Sequence, residues 1–140
     1  MKKYKKGILF SAFDLLHSGH IIMLQDAKEQ CEELVVGLQY DPSIERYEKN
    51  KPIQTHDERL IQLNAVKYVD KIITYKYESD LLKIIEEEKP DIRILGSDYK
   101  NKKFTGDYLN IPIYFHERSH LWSTSELRER IYNEEKKLRE

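Results

Sequence analysis

Two histidines in the segment His17-Ser18-Gly19-His20 are the residues best placed by type and spacing to do chemistry. They follow a short apolar run and precede an amphipathic stretch, so they fall where a strand turns into a helix. The first turn of a helix offers unpaired backbone N–H groups and the positive end of the helix dipole, which suits an anion. Imidazoles three residues apart at such a place can lie on one side of it and donate hydrogen bonds to one phosphate. Gly19 lets the backbone approach a ligand closely. Two other readings fit the same residues. They can be ordinary polar groups at a helix cap, or a metal pair, although metal-binding histidines usually come with further ligand-rich segments and none is evident.

Positioning such a pair needs a scaffold, and hydrophobic periodicity outlines one. Gly7 to Phe10 reads as a buried strand. Ile21, Leu24, Ala27 and Cys31 recur at spacings of three and four, a helical stripe from Gly19 to about Glu32. Glu33 to Leu38 returns to a strand, and the polar stretch from Gln39 to His56, with Pro42 and Pro52, reads as a long loop. Thr55 and Glu58 give a capping-box signal for a helix whose face of Leu60, Leu63 and Val66 runs to about Val69. Lys71 to Tyr75 is a third strand, Asp80 to Glu88 a helix stopped before Pro90, Asp91 to Leu95 a fourth strand and Ile111 to Phe115 a fifth. Ser123 and Glu126 signal a second capping box, with Trp122 before it as a hydrophobic staple.

Strands alternating with helices require crossover connections, which favour a parallel sheet covered by helices on both faces. Ligands of such α/β sheets bind beyond the carboxyl ends of the strands, near a switch in strand order. That rule selects four segments, Ser11–His20, Gln39–His56, Gly96–Thr105 and His116–Thr124, and the unusual polar residues collect there.

Composition removes several classes of function. The 140 residues fit one domain, 1–140, and 39% hydrophobic with 35% charged residues is the balance of a globular chain. Twenty-four basic residues against 25 acidic ones give no reason to expect a nucleic-acid or membrane-surface binder. No stretch approaches the roughly 20 apolar residues of a membrane span, and the N-terminal apolar run is too short for a signal peptide. The single Cys31, placed in the helical stripe, reads as a reduced packing residue, and the cytoplasm is the expected location.

Phe13-Asp14-Leu15-Leu16-His17-Ser18-Gly19-His20 resembles the H-x-G-H signature of the cytidylyltransferase-like nucleotidyltransferases, and the bacterial glycerol-3-phosphate cytidylyltransferases are especially similar. Further matches are Glu58-Arg59, Tyr68-Val69-Asp70, Gly96-Ser97-Asp98-Tyr99 and the segment from Arg118 to Thr124. In order and spacing they span about Gly7 to Ile131. The resemblance implies a single Rossmann-like domain that transfers CMP from CTP, with Mg²⁺, to a small phosphorylated acceptor and releases pyrophosphate. It also implies a homodimer and a place in surface-polysaccharide precursor synthesis. His17 and His20 would donate to the α- and β-phosphates, and Lys51 would contact phosphate from the long loop. Arg118, Ser119, Ser123 and Thr124 correspond to the segment that grips the outgoing phosphates, where a guanidinium binds bidentately and a helix N-terminus faces the anion. Ser11, Ala12, Phe13, Asp14, Gly19, Gly96, Asp98 and Tyr99 would line the nucleotide pocket. Asp14 orients the histidine loop, helps hold Mg²⁺ or simply forms a turn. Arg59 belongs to the site or pairs with a neighbouring carboxylate.

The chain departs from the family in two places. Ser11-Ala12 stands where Gly-Thr is usual, which removes a threonine hydroxyl near the nucleotide. The loop from Lys100 to Asp107 brings three lysines that can meet an anionic acceptor or simply be solvated. Nucleotidyl transfer is therefore better specified than the acceptor. The rival readings are an adenylyltransferase of the same fold, acting on a flavin or pantetheine phosphate, and a catalytically silent nucleotide-binding module.

Overall fold

The apolar runs become five strands in the computed structural model, which describes residues 4–140. Strands β1 (Tyr4–Ser11), β2 (Cys31–Gln39), β3 (Lys71–Tyr75), β4 (Ile92–Gly96) and β5 (Ile113–His116) alternate with helices α1 (Ser18–Glu29), α2 (His56–Asn64), α3 (Glu78–Glu88) and α4 (Thr124–Arg139). Every strand pairing is parallel, in the order β3-β2-β1-β4-β5. This is the five-stranded parallel sheet of a Rossmann-like α/β domain.

The central strands are buried on both faces, and their side chains divide by the period of two. Leu9, Val36 and Ile94 pack on one face with Leu24 and Ala27 of α1. Ile8 and Val35 pack on the other with Leu81, Ile84 and Ile85 of α3. Full burial of each such aliphatic side chain contributes about 1.5–3 kcal/mol. The chain runs outward from β1 to β3, then crosses to β4 and β5 on the opposite side. Strand order therefore reverses between β1 and β4, and the loops leaving those two strands flank the crevice where such sheets hold ligands.

Several boundaries differ from the sequence expectations for identifiable reasons. Cys31 opens β2 instead of ending the α1 stripe, because α1 stops at Glu29 and Gln30 closes it on the Ala27 and Lys28 carbonyls. Its fully buried thiol lies on the Ala27 carbonyl, so it is a packing residue in a different element. Helix α2 ends at Asn64, and Val66 and Val69 reach the core through successive turns. Helix α3 begins at Glu78, earlier than Asp80, because the Asp80 carboxylate accepts from the Tyr77 N–H at 3.0 Å and so caps the turn before it. Strand β5 is shifted to Ile113–His116, which buries His116 at the end of a strand. At α4, Ser123 accepts from the Glu126 N–H, but the Glu126 carboxylate lies 4.0 Å from Arg130, so half of the expected box forms. Trp122 stacks on His120, with ring centres 4.9 Å apart. Among the described residues no helix is long and apolar enough to cross a membrane.

Candidate active site

The chain passes from β1 to α1 through a turn in which Phe13 and Leu15 both take left-handed φ, 49° and 52°. Such backbone costs of order 1–3 kcal/mol at each residue and persists only where surrounding contacts over-determine it. Those contacts are present. Phe13 is buried, and its N–H lies 3.5 Å from the Ser11 hydroxyl. The Leu15 N–H donates to Gln54 Oε1 at 2.8 Å. The buried Asp14 carboxylate accepts from the Ile53 and Gln54 N–H groups at 2.9 and 3.0 Å. Asp14 thus ties the histidine turn to the loop before α2, and both of its oxygens are engaged.

The same turn sets the tautomers of both histidines. His17 caps α1 itself: its Nδ1 accepts from the Gly19 N–H at 3.0 Å, and the His20 Nδ1 accepts from the His17 N–H at 3.2 Å. A neutral imidazole whose Nδ1 accepts must carry its proton on Nε2. Both side chains are held neutral. Burial presses His17 below the ordinary histidine range, with His120 and Arg118 adding to the effect. Burial, helped by His17, brings His20 down to about 3. The rings stack at 3.8 Å between centres, an arrangement two imidazolium ions would oppose. The result is a pair of fixed Nε2–H donors. His17 places its Nε2 3.2 Å from the Thr124 hydroxyl at the start of α4, which joins the two helix N-termini.

This protonation state has a measurable consequence. With His20 at about 3 in the folded chain and near 6.5 unfolded, the unfolded state binds more protons between those values. Stability therefore falls with decreasing pH through that window, by up to about 1.4 kcal/mol per pH unit. The upper part of the window lies above the carboxylate range, so urea unfolding at pH 6.5 and 5 separates the histidines from the carboxylates, with His17, also pressed low, adding to the wild-type slope. His20→Gln is expected to flatten the slope there by about one proton. An unchanged slope would contradict the buried neutral state.

Two cavities of about 650 and 190 Å³ adjoin over the carboxyl ends of the strands. The smaller is lined by His17, Gly19, His20, Arg118, Ser123 and Thr124 among others, so both imidazoles, Arg118 and the N-terminus of α4 face one space. His20, Gly96, Asp98 and Thr124 also line the larger one. Ser11, Ala12, Phe13, Asp14 and Tyr99 line the larger cavity only. Lys51 and Ser119 line neither and are exposed. The neighbours of Lys51, namely Lys49, Asn50 and Pro52, do line the larger cavity, so the loop arrives there with a different lysine.

Arg59 is resolved in favour of structure, with carbonyls taking the place of the expected carboxylate. It is 2% exposed and donates to the carbonyls of Gln54, Ala12, Gln39 and Tyr40.

Four residues at or beside the cavities lie outside the sequence expectations. His116 donates from Nδ1 to Asp26 at 2.7 Å, its buried Nε2 has no partner, and it lines the smaller cavity. Tyr114 donates to the same carboxylate, and burial followed by Asp26 pushes its phenol up. His120 covers the start of α1 so closely that a Cβ on Gly19 would lie 2.9 Å from its ring. Arg93 lines the larger cavity from inside β4, and a charge within the apolar run Ile92-Arg93-Ile94-Leu95 was the signal that would have found it.

Among the described residues no group of three or more side chains suits a metal ion. An Mg²⁺ carried by a triphosphate needs no such cage, since phosphates and water supply most of its ligands. Asp98 is a carboxylate lining both cavities and fits that limited role.

Residues 8–132 match the family model described as cytidylyltransferase-like. Over 134 residues the chain is 36% identical to the bifunctional protein HldE of Helicobacter pylori (strain HPAG1), covering 94% of this chain and 29% of that protein. It is 37% identical over 108 residues to HldE of Campylobacter concisus (strain 13826), covering 75% and 23% respectively. The chain therefore spans less than a third of these curated relatives. Among solved structures it is similar to a lipopolysaccharide core biosynthesis protein from Thermoplasma volcanium GSS1, with a TM-score of 0.65, 30% identity and coverage of 86% of this chain and 100% of that one. It shares its fold with a pantoate-beta-alanine ligase from Francisella tularensis, with a TM-score of 0.61, 18% identity and coverage of 91% and 66%.

Proposed function

Given that the chain belongs to the cytidylyltransferase-like family of nucleotidyltransferases, we propose that it transfers CMP from CTP to a small phosphorylated acceptor and releases pyrophosphate. A phosphate oxygen of the acceptor attacks the α-phosphorus in line. The bond from that phosphorus to the bridging oxygen breaks, and its electron pair leaves with pyrophosphate. No enzyme nucleophile is required, so the protein contributes position and charge stabilisation. His17 and His20 act as neutral Nε2–H donors to the phosphates. Arg118 and the first N–H groups of α4 receive the charge that builds on the departing pyrophosphate. Bound Mg²⁺ would neutralise part of the triphosphate charge, with Asp98 available to hold it.

The observation that carries this reading is the convergence of two fixed imidazole donors, Arg118 and the α4 N-terminus on one cavity. Anions are favoured there for the same reasons that water alone is a poor substitute: the donors are already oriented. The description of the matching family model as cytidylyltransferase-like supports cytidylyl over adenylyl transfer. The similarity to a lipopolysaccharide core biosynthesis protein supports a place in the supply of surface-polysaccharide precursors.

The test is pyrophosphate release with CTP and ATP, Mg²⁺ and a panel of phosphorylated acceptors. A turnover preference for CTP of tenfold or more is expected. Preference for ATP makes the chain an adenylyltransferase. Absence of release with every nucleotide and acceptor leaves only a binding module.

A further inference from the structure

Two arginines are almost fully buried in this domain, and the fold treats them differently. Arg59, 2% exposed, is surrounded by four backbone carbonyls that accept from it. The guanidinium of Arg93, 4% exposed, makes one hydrogen bond, from Nη1 to the Thr105 carbonyl at 2.5 Å. Its buried Nε has no partner. The carboxylates whose fields reach it, Glu78 and Asp107, form no ion pair with it, and Glu78 is engaged by Arg46 at 3.0 Å. A buried cation without a paired anion costs free energy, so an arginine left in this state marks a place where an anion is missing.

The surroundings suit a planar guanidinium that must stay oriented while it waits. The rings of Phe10 and Phe104 lie 5.4 and 5.1 Å from it, within cation–π distance. The hydrogen bond to Thr105 fixes the loop from Phe104 to Gly106 beside it. Gly106 has a φ of +83°, and a Cβ there would lie 3.0 Å from Nη1, so only glycine brings the loop this close without strain. Lys103 lines the same cavity.

We propose that Arg93 is a specificity residue, which binds an oxyanion, carboxylate or phosphate, that the acceptor carries in addition to its attacking phosphate. The proposal rests on the nucleotidyl-transfer reading. The attacking phosphate must meet the α-phosphorus beside His17 and His20, at the smaller cavity. Arg93 lines only the larger one. His20 lines both cavities, but Arg93 does not reach the smaller one, and a nucleoside in the larger one carries no anion of its own, so an anion held there belongs to the acceptor's far end. Charged hydrogen bonds in such a site are short and directional, and a guanidinium accepts carboxylate and phosphate alike in bidentate form.

Calorimetry tests this with three probes: glycerol phosphate, which has one phosphate, phosphoglycerate, which adds a carboxylate, and a hexose bisphosphate, which adds a second phosphate. Each is titrated into the wild-type chain, Arg93→Met and Arg93→Lys, with and without a non-hydrolysable CTP analogue, and Tm is recorded for each variant. The wild type is expected to prefer at least one doubly anionic probe over glycerol phosphate, and which one it prefers identifies the second anion. Arg93→Met is expected to weaken that probe by roughly ten- to a hundredfold, the usual loss for a charged hydrogen bond. Glycerol phosphate and CTP-analogue affinities should stay unchanged.

No preference in the wild type, or a preference that survives Arg93→Met, overturns the proposal. So does equal weakening of all three probes and the nucleotide, which would make Arg93 a loop anchor. If Arg93→Met does not fold, Arg93→Lys carries the same comparison, because it keeps the charge and loses the bidentate fork. Failure of nucleotidyl transfer is seen separately, as no pyrophosphate release while Arg93-dependent binding persists. Release from glycerol phosphate that Arg93→Met leaves intact, with no Arg93-dependent binding, removes the specificity role alone.

Discussion

Replacing His20 with alanine is expected to lower kcat by about 10²–10³ while nucleotide affinity changes much less, because the lost Nε2–H donor is worth most where charge develops. Desolvation keeps this imidazole neutral down to about pH 3, and the His17 N–H occupies its Nδ1, so its remaining donor can serve a phosphate oxygen. His17 requires a more careful substitution, since its Nδ1 also caps α1. His17→Ala removes a cap worth about 1 kcal/mol together with the donor. His17→Asn keeps an acceptor for the cap and still lacks a donor placed like Nε2–H. Turnover should fall by a similar 10²–10³ in His17→Asn, with stability close to wild type. Single-turnover rates and equilibrium nucleotide binding separate the two roles. If His17→Asn restores full turnover, His17 is a cap and nothing more. If either variant loses affinity as much as rate, the donors act on the ground state.

The parts of this site that the sequence revealed are those encoded locally. The pair His17 and His20 shows itself because three residues span one helical turn, and Ser123 because a cap precedes its helix. The strands were legible because buried parallel strands are continuous apolar runs. What stayed hidden depends on bonds between distant segments. The Asp14 carboxylate reaches Ile53 and Gln54, and Asp26 of α1 reaches His116 at the end of β5. No periodicity announces such bonds. Cys31 illustrates the reverse failure: its spacing from Ala27 fits a helix, yet the chain turns at Gln30 and delivers the same thiol to the same neighbour from a strand. The lysine expected at the site, Lys51, shows how a loop can be placed correctly by topology while the residue within it is not.

Arg59→Met is expected to be the most damaging substitution for stability, at about 3–5 kcal/mol. The guanidinium donates to carbonyls at the ends of β1 and β2 and just before α2: Ala12, Gln39, Tyr40 and Gln54. It thereby closes the loops that form one wall of the larger cavity. Burial lowers its pKa from the ordinary value, while the fields of Asp14 and Asp41 act in the opposite direction. Methionine fills a similar volume but leaves those carbonyls without a donor. Each charged hydrogen bond contributes about 1.5–3 kcal/mol, and partial relaxation with entry of water recovers some of the sum. For a domain of this size the expected loss corresponds to a fall in Tm of about 10–20 °C. Arg59→Lys should recover only part of it, because a lysine has three donors on one nitrogen and cannot span carbonyls from three segments. Urea unfolding of both variants, with pyrophosphate release measured well below the lowered Tm, decides between architecture and chemistry. A stable Arg59→Met chain with abolished turnover would move Arg59 into the catalytic site. A destabilised chain whose folded fraction still turns over would make it the clasp of the cavity wall, which its four carbonyl partners already imply.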